Sequence, residues 1–217
     1  MNKKEKELKE KINNLSDFTS EFIQSSERIL VAGNQKIFVL DLFSNAVNNR
    51  SISTINGFLS LIKENNYLCA IPLIRMQLDN GLRFFASTLV EDSNDFFNHY
   101  LSGKAIRNYK DINGNKLTDF HLSKELEKYF PGVRNLYKET SGYIHLSDNH
   151  LFATTSIDEN IKDRKIEVRV GNYDVYSIES KIDFVSTMIE VCKMVLIIVE
   201  QWKHEKIRLS NIYEKNK

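Results

Sequence analysis

The sequence predicts a mainly α-helical protein, a helical bundle with one small β-hairpin. Its 217 residues contain eight glycines and two prolines, so few positions interrupt a helix. Apolar residues recur three and four positions apart along most of the chain, which is the helical period. Only within residues 151–170 does the spacing change to two, the period of a strand. We find no repeat and no linker, and we expect one domain over residues 1–217.

The stretch 68–87, LCAIPLIRMQLDNGLRFFAS, is predicted to be the central helix of the bundle. One face carries apolar residues three and four apart, and other apolar residues cover much of the remaining surface. A helix that is apolar on more than one side has neighbours on most of its surface. We place Pro72 in its first turn, where the missing N–H has no cost.

Three helices are predicted before the central helix. The first covers residues 1–31, has a charged, solvated start and is expected to lie at the periphery of the bundle; Gly33 and Asn34 are its stop signal. The second is expected to end at the polar residues 48–51, and the third to run to Glu64.

Beyond the central helix, residues 111–115 are predicted to form a turn and residues 119–129 a helix. A further helix begins at Val133 and is weakened by Gly142. The hairpin of residues 151–170 follows. An apolar helix over residues 178–204 completes the chain.

The charge of the chain is nearly balanced. Thirty basic and 29 acidic residues give a formal net charge of +1, which argues against binding nucleic acid through bulk charge but not against a local basic patch. The N-terminus is charged and has no apolar run behind it, and segment 194–199 is too short to span a bilayer. We therefore expect a cytoplasmic protein without a membrane segment. No motif for a cofactor or a metal is found, and none is expected.

Arg75, Asp79 and Arg83 form a polar row on the central helix, each four residues from the next, and Asn80 lies beside them. The carboxylate can therefore lie between two guanidinium groups. Such an arrangement would be a preorganised site for a phosphate or a carboxylate. The alternative is a structural ladder of ion pairs that fixes helix register.

A second polar segment contains Lys138, Ser141, Tyr143 and His145. A histidine beside Ser and Tyr hydroxyls can act as a general acid–base near neutral pH. A hydrogen-bonded structural histidine is the alternative.

Four aromatic residues between the central helix and the 111–115 turn could stack on a base. Packing in the core explains the same residues more simply. They are Phe96, Phe97, Tyr100 and Tyr109.

Two strings carry a family resemblance, PLIRMQLDNGLRFFA in the central helix and YKETSGYIHLSDNH after it. With the hairpin and the apolar last helix, they resemble a group of uncharacterised bacterial helical proteins, which in turn resemble the HEPN superfamily and abortive-infection proteins. The resemblance covers residues 35–203. It implies an α-helical bundle, a homodimer and, in many members, metal-independent RNA cleavage or nucleotide binding.

The nuclease members of that superfamily carry an Arg separated from a His by four to six residues on one helix. Before His145, those positions hold Lys138, Glu139 and Thr140. Arg75 or Arg83 would therefore have to approach His145 in space, where the arginine would stabilise the phosphorane while His145 moves the proton.

The sequence thus supports two functions from different classes. The first is a non-catalytic binding module of a bacterial defence or stress system, acting through a partner or a small anionic ligand. The alternative is a HEPN-like ribonuclease with Arg75, Arg83 and His145 as its catalytic residues. A purely structural homodimer also remains open. The residues expected to bind a ligand are Arg75, Asp79, Asn80, Arg83, Lys138, Ser141, Tyr143 and His145.

Overall fold

The computed structural model of the protein describes residues 2–144, 151, 155–158, 165–171 and 175–215. Two short strands, β1 (Thr155–Asp158) and β2 (Lys165–Val168), pair antiparallel. The remaining regular structure is helical, so the mainly α-helical class is confirmed. The helices of the described residues are α1 (Lys3–Val31), α2 (Val39–Lys63), α3 (Tyr67–Ala86), α4 (Ser93–Leu101), α5 (Asp119–Leu126), α6 (Val133–Ser141) and α7 (Ile178–Lys215).

The bundle is built on α1, α2, α3 and α7, the four longest of the described helices, so α1 is part of the bundle and the expectation that it is peripheral is wrong. Helix α7 packs along α1 and α3, and α2 packs against α1 and α3 from the other side. Phe22, Phe58, Leu78 and Val195, one from each helix, are fully buried. Gly81 lies at the close contact of α3 with α7: a Cβ there would lie 3.1 Å from Met194 Cε, so that side chain would have to shift by a few tenths of an ångström. None of the described helices combines the length and hydropathy that a membrane crossing requires.

Helix α3 has the central position that its sequence predicts. Thirteen of its 20 residues are buried, and it contacts α2, α5, α6 and α7. Its start differs from the expectation, because the Asn66 side chain accepts the Cys69 N–H at 3.3 Å and caps the helix at Tyr67. Pro72 is the sixth residue of α3 and lies inside the helix, so its expected place in the first turn is wrong.

The predicted break at residues 48–51 is wrong, because α2 runs without interruption from Val39 to Lys63. The polar side chains there do not form a turn but pair with neighbouring helices. Asn48 Nδ2 donates to Ser26 Oγ at 2.9 Å, and Ser51 Oγ accepts from Asn80 Nδ2 at 3.1 Å. Buried polar groups that find such partners are compatible with a helix interior.

Two further helices differ from the sequence prediction: α4 in its presence and α5 in its end. Helix α4 was not expected; it is capped by Asp92, whose Oδ1 accepts the Asn94 N–H at 2.7 Å. Helix α5 ends at Leu126 rather than at 129. Beyond it, the Glu127 carboxylate accepts the Gly132 and Arg134 N–H groups at 3.0 and 2.8 Å, which holds the chain in a turn.

A fully buried ion pair and its hydrogen bonds join the first and the last helix to α2. Lys206 Nζ lies 2.9 Å from Asp41 Oδ2, and neither side chain is exposed to solvent. Lys206 also donates to the Ile29 carbonyl at 2.8 Å, at the end of α1. Trp202 Nε1 and the Phe38 N–H donate to Asp41 at 2.7 and 2.8 Å. Both charges are therefore desolvated but fully hydrogen-bonded, which a buried pair requires.

Replacement of Lys206 by Met would leave the Asp41 carboxylate buried without a cation. We expect Lys206→Met to lower the free energy of unfolding by about 3–5 kcal/mol, measured by urea denaturation. The control is Lys193→Met on the same helix, where an exposed pair with Glu190 should change stability by less than about 0.5 kcal/mol. Equal effects of the two substitutions would contradict the role of the buried pair.

The loop before α5 is organised around the Asp111 carboxylate, which is buried. It accepts the Asn113 and Asn115 N–H groups at 2.9 and 2.8 Å, and His121 Nε2 lies 2.8 Å from its Oδ2. Burial raises the pKa of Asp111, but the hydrogen bonds from Asn115, His121 and Asn113 together outweigh burial and leave that pKa below its usual value.

A pKa that is lower in the folded chain than in the unfolded chain makes Asp111 stabilising above the ordinary aspartate pKa of about 3.9. That contribution is lost as the pH falls through the lowered pKa. We expect wild-type protein to melt above Asp111→Asn at about pH 5, and the gap in Tm to shrink towards about pH 3. Asp17→Asn, an exposed site on α1, controls for the change in net charge. A gap that stays constant over this range would contradict the prediction.

Candidate anion-binding site

Three arginines and two aspartates meet where α2, α3 and the start of α5 come together. Asp79 Oδ1 lies 2.9 Å from Arg83 Nη2, and Asp79 Oδ2 lies 3.1 Å from Arg50 Nη1. Asp119 lies 2.6 Å from Arg83 and 3.2 Å from Arg75. We call these five residues the arginine cluster.

The polar row on α3 is thus paired differently from the simple ladder that its spacing suggests. Arg75 Nη1 is 4.0 Å from Asp79 Oδ1, whereas Arg75 Nη2 is 3.2 Å from Asp119 Oδ2. Asp119, which lies 44 residues from Arg75, is therefore the closer counter-ion. Two carboxylates share three guanidinium groups, and the cluster keeps one excess positive charge.

Arg75 is the buried member of the arginine cluster. It is 6% exposed, and its guanidinium lies over the Tyr137 ring, 4.2 Å from the centroid. A cation stacked on an aromatic face and paired with a carboxylate is held by packing as well as by charge. Arg75 therefore joins α6 to α3 and α5.

A cleft of about 420 Å³ opens beside the arginine cluster, and we call it the basic cleft. Its walls come from α2, from α3, from Tyr100 near the end of α4 and from the segment that follows α4. The lining contains four cations and one carboxylate, with apolar side chains between them. The charged and amide residues of the lining are Arg50, Asp79, Asn80, Arg83, Lys104 and Arg107.

The segment after α4 is folded so that Lys104 and Arg107 reach this cleft. Gly103 has a φ of +75°, a backbone conformation that glycine adopts without strain, and its N–H donates to the Tyr100 carbonyl at 3.0 Å. His99 Nε2 lies 3.1 Å from the Ala105 carbonyl oxygen. Lys104 and Arg107 are exposed and form no ion pair with any described residue.

Asn80 forms a buried amide between the cleft and the core. Its Oδ1 accepts from Arg50 Nη1 at 2.6 Å, and its Nδ2 donates to Ser51 Oγ at 3.1 Å and Gln77 Oε1 at 3.0 Å. The amide is therefore oriented by α2 and α3 together. This orientation fixes one N–H of the Arg50 guanidinium, whose side chain is otherwise 45% exposed.

The second polar segment lies apart from the basic cleft as far as it is described. Lys138 is exposed on α6, and Ser141 Oγ donates to the Tyr137 carbonyl at 2.6 Å within the same helix. Tyr143 lines a different cavity, beside Ile71 and Ile74. Burial, followed by the Glu139 carboxylate, raises the pKa of Tyr143.

His145 lies outside the described residues. Of the residues expected to form the site, the structure brings Asp79, Asn80 and Arg83 to one cleft, whereas Arg75 is buried against Asp119 and does not line it. Within the described chain, no group of three His, Cys, Asp or Glu side chains is arranged to hold a metal ion.

The sequence did not identify four residues of this site. Arg50 carried a signal, since it belongs to the polar interruption of α2 that we assigned to a turn. Lys104 and Arg107 both follow Gly103 but belong to no motif. Asp119 was expected only as a helix start, because its pairing with α3 depends on the tertiary fold.

A second cleft, of about 740 Å³, has the opposite charge. It lies at the start of α4, and among the described residues its charged lining consists of carboxylates. These are Glu91, Asp92, Asp95 and Glu205. Tyr109 donates to Asp95 Oδ2 at 2.6 Å here, and burial, the hydrogen bond and the charge of Asp95 raise the pKa of Tyr109 to about 12.

Comparisons with protein-family models, curated proteins and solved structures find no match for this chain. The fold and the cleft themselves define the class: a bundle of long helices with a basic cleft between α2, α3 and the segment after α4. The function must therefore be argued from the residues of the cleft.

The buried position of Arg75 predicts a structural role. Arg75→Met would remove a cation from Asp119 and the stacked guanidinium from Tyr137, so we expect a loss of about 2–4 kcal/mol in the free energy of unfolding. The matched control is Arg134→Met on α6, since Arg134 is exposed and lies 5.3 Å from the Phe120 ring centroid. Arg134→Met should lower the free energy of unfolding by less than about 1 kcal/mol, measured by urea denaturation. A loss that is equal for the two arginines would count against the structural assignment.

Proposed function

We propose that this protein is a binding module that holds a small anionic ligand in the basic cleft. The observation that carries the proposal is the charge of the lining, with four cations and one carboxylate around about 420 Å³. Clefts of this size are typical of small-molecule sites. The expected anion site on α3 is thereby extended to α2 and to the segment after α4.

The balance of charge in the cleft favours an anion. Asp79 is shared between Arg50 and Arg83. Asp119 is shared between Arg83 and Arg75, so the two carboxylates leave one of the three guanidinium charges unbalanced. Lys104 and Arg107 add two exposed cations to the same cleft. Like charges gathered in a concave surface raise the local positive potential and attract an anion. The forked guanidinium groups supply paired donors that match phosphate or carboxylate oxygens.

The two interpretations of the polar row apply to different members of it. Arg75 has the buried, stacked position of a structural ion pair, whereas Arg83 lines the cleft. A carboxylate such as Asp79 that bridges two cleft arginines also orients their unused N–H groups. Preorganised donors reduce the entropy that a ligand must overcome on binding.

Inorganic phosphate and pyrophosphate are the simplest probes of this proposal. We expect both to bind at low ionic strength, and the double substitution Lys104→Gln/Arg107→Gln to weaken binding at least about tenfold in titration calorimetry, because each charged donor contributes about 1.5–3 kcal/mol. Lys63→Gln is the matched control, since it removes an exposed charge from α2, 13 residues from Arg50 and about 20 Å along the helix. Its affinity should equal that of wild type.

Absence of binding by either anion, or equal losses in the double variant and in Lys63→Gln, would overturn the proposal. The same preparations also address the ribonuclease alternative, which needs His145 and stays a prediction. Cleavage of a short RNA that His145→Ala abolishes would favour that alternative over a non-catalytic module.

A further inference from the structure

The basic cleft contains an exposed aromatic side chain that a purely inorganic anion would leave unused. Tyr100 lines the cleft and is 43% exposed. Of the other aromatic residues that the sequence suggested for stacking, Phe96 and Phe97 are buried in the core, and Tyr109 lines the second cleft, whose described charged residues are carboxylates. Tyr100 thus combines exposure with a place beside the cations.

The Tyr100 ring is held by contacts on its inner side. Its centroid is 5.3 Å from that of Phe43 and 6.4 Å from that of Phe97, with interplanar angles of 47° and 34°. Phe97 is itself packed against Phe43 at 6.2 Å. A ring fixed in this way loses little conformational entropy when a ligand stacks on it.

The rest of the lining fits a ligand with two chemical parts. Phe43, Val47 and Ile106 supply apolar surface next to Tyr100, and Arg50 and Arg83 supply the charge. Small-molecule sites commonly combine an apolar wall with a few polar groups that orient the ligand. A bare phosphate would contact the cations alone.

We infer that the ligand is a small anion that carries a planar ring, with the ring stacked on Tyr100 and the anionic group held by the cleft cations. This inference rests on the proposed function and adds the class of ligand to it. Aryl phosphates and nucleoside monophosphates share this chemistry.

The test compares phenyl phosphate with methyl phosphate, which has the same anionic group without the ring. In wild-type protein we expect phenyl phosphate to bind at least about fivefold more tightly, because stacking of one ring on an aromatic side chain supplies that factor. Tyr100→Leu should abolish this preference, so that phenyl phosphate and methyl phosphate bind the variant with equal affinity. Tyr100→Phe should retain the preference, since it retains the ring.

The control is Tyr129→Leu, which removes an exposed tyrosine that lines a groove between α6 and α7 instead of the basic cleft. It should bind phenyl phosphate as wild type does. Adenosine monophosphate distinguishes the two classes of ligand. If it binds more tightly than phenyl phosphate and Tyr100→Leu abolishes this difference, the ligand is a nucleotide. If it binds more weakly, the ligand is an aryl anion.

Three results would overturn the inference, and each is distinguishable from the other two. If phenyl phosphate and methyl phosphate bind with equal affinity and inorganic phosphate also binds, the ligand needs no ring, but the proposed function stands. If no anion binds, both the inference and the proposed function are wrong. A preference for phenyl phosphate that persists in Tyr100→Leu would place the ring elsewhere and also contradicts the inference.

Discussion

Two aspartates that share three arginines are the interaction on which both the packing and the cleft depend. Asp79 lies between Arg50 and Arg83, and Asp119 lies between Arg75 and Arg83. Without these carboxylates, three guanidinium groups at the junction of α2, α3 and α5 would repel one another and extend into water. Shared pairing lets the helices approach, and it keeps one positive charge unbalanced. The same contacts therefore close the junction and make one side of it attractive to an anion.

The buried pair of Lys206 and Asp41 shows what a purely structural solution looks like in the same molecule. One cation meets one anion, every strong donor is used, and neither side chain reaches solvent. A balanced, dry pair has no residual charge for a ligand and stabilises mainly by avoiding an unpaired buried charge. The arginine cluster differs in both respects, since it has an excess cation and Arg50 and Arg83 are partly exposed. This difference separates a structural ion pair from a candidate site.

Local sequence patterns predicted the elements better than their partners. The three-four spacing in α3 identified a helix with neighbours on most sides, and the four-residue spacing placed Asp79 within reach of Arg83. Periodicity reports which residues share a face, but not which helix covers that face. Asp119 and Arg50 could therefore not be assigned to Arg75 and Asp79 in advance. The wrong prediction of a break at residues 48–51 has the same cause. These polar residues are compatible with a helix because Ser26 and Asn80, which lie on other helices, supply their hydrogen-bond partners.

The formal net charge of +1 conceals two clefts of opposite sign at the two ends of α4. Asp92 and Asp95 lie at its start, and Lys104 and Arg107 follow its end. The nine residues of α4 span about 14 Å, more than one Debye length at physiological ionic strength, so each cleft presents its own charge to a ligand. The order is the one that a helix dipole favours, with anions at the N-terminus and cations near the C-terminus. Separation of the two charges is thus compatible with the stability of α4, and whole-chain charge is a poor guide to what either cleft binds.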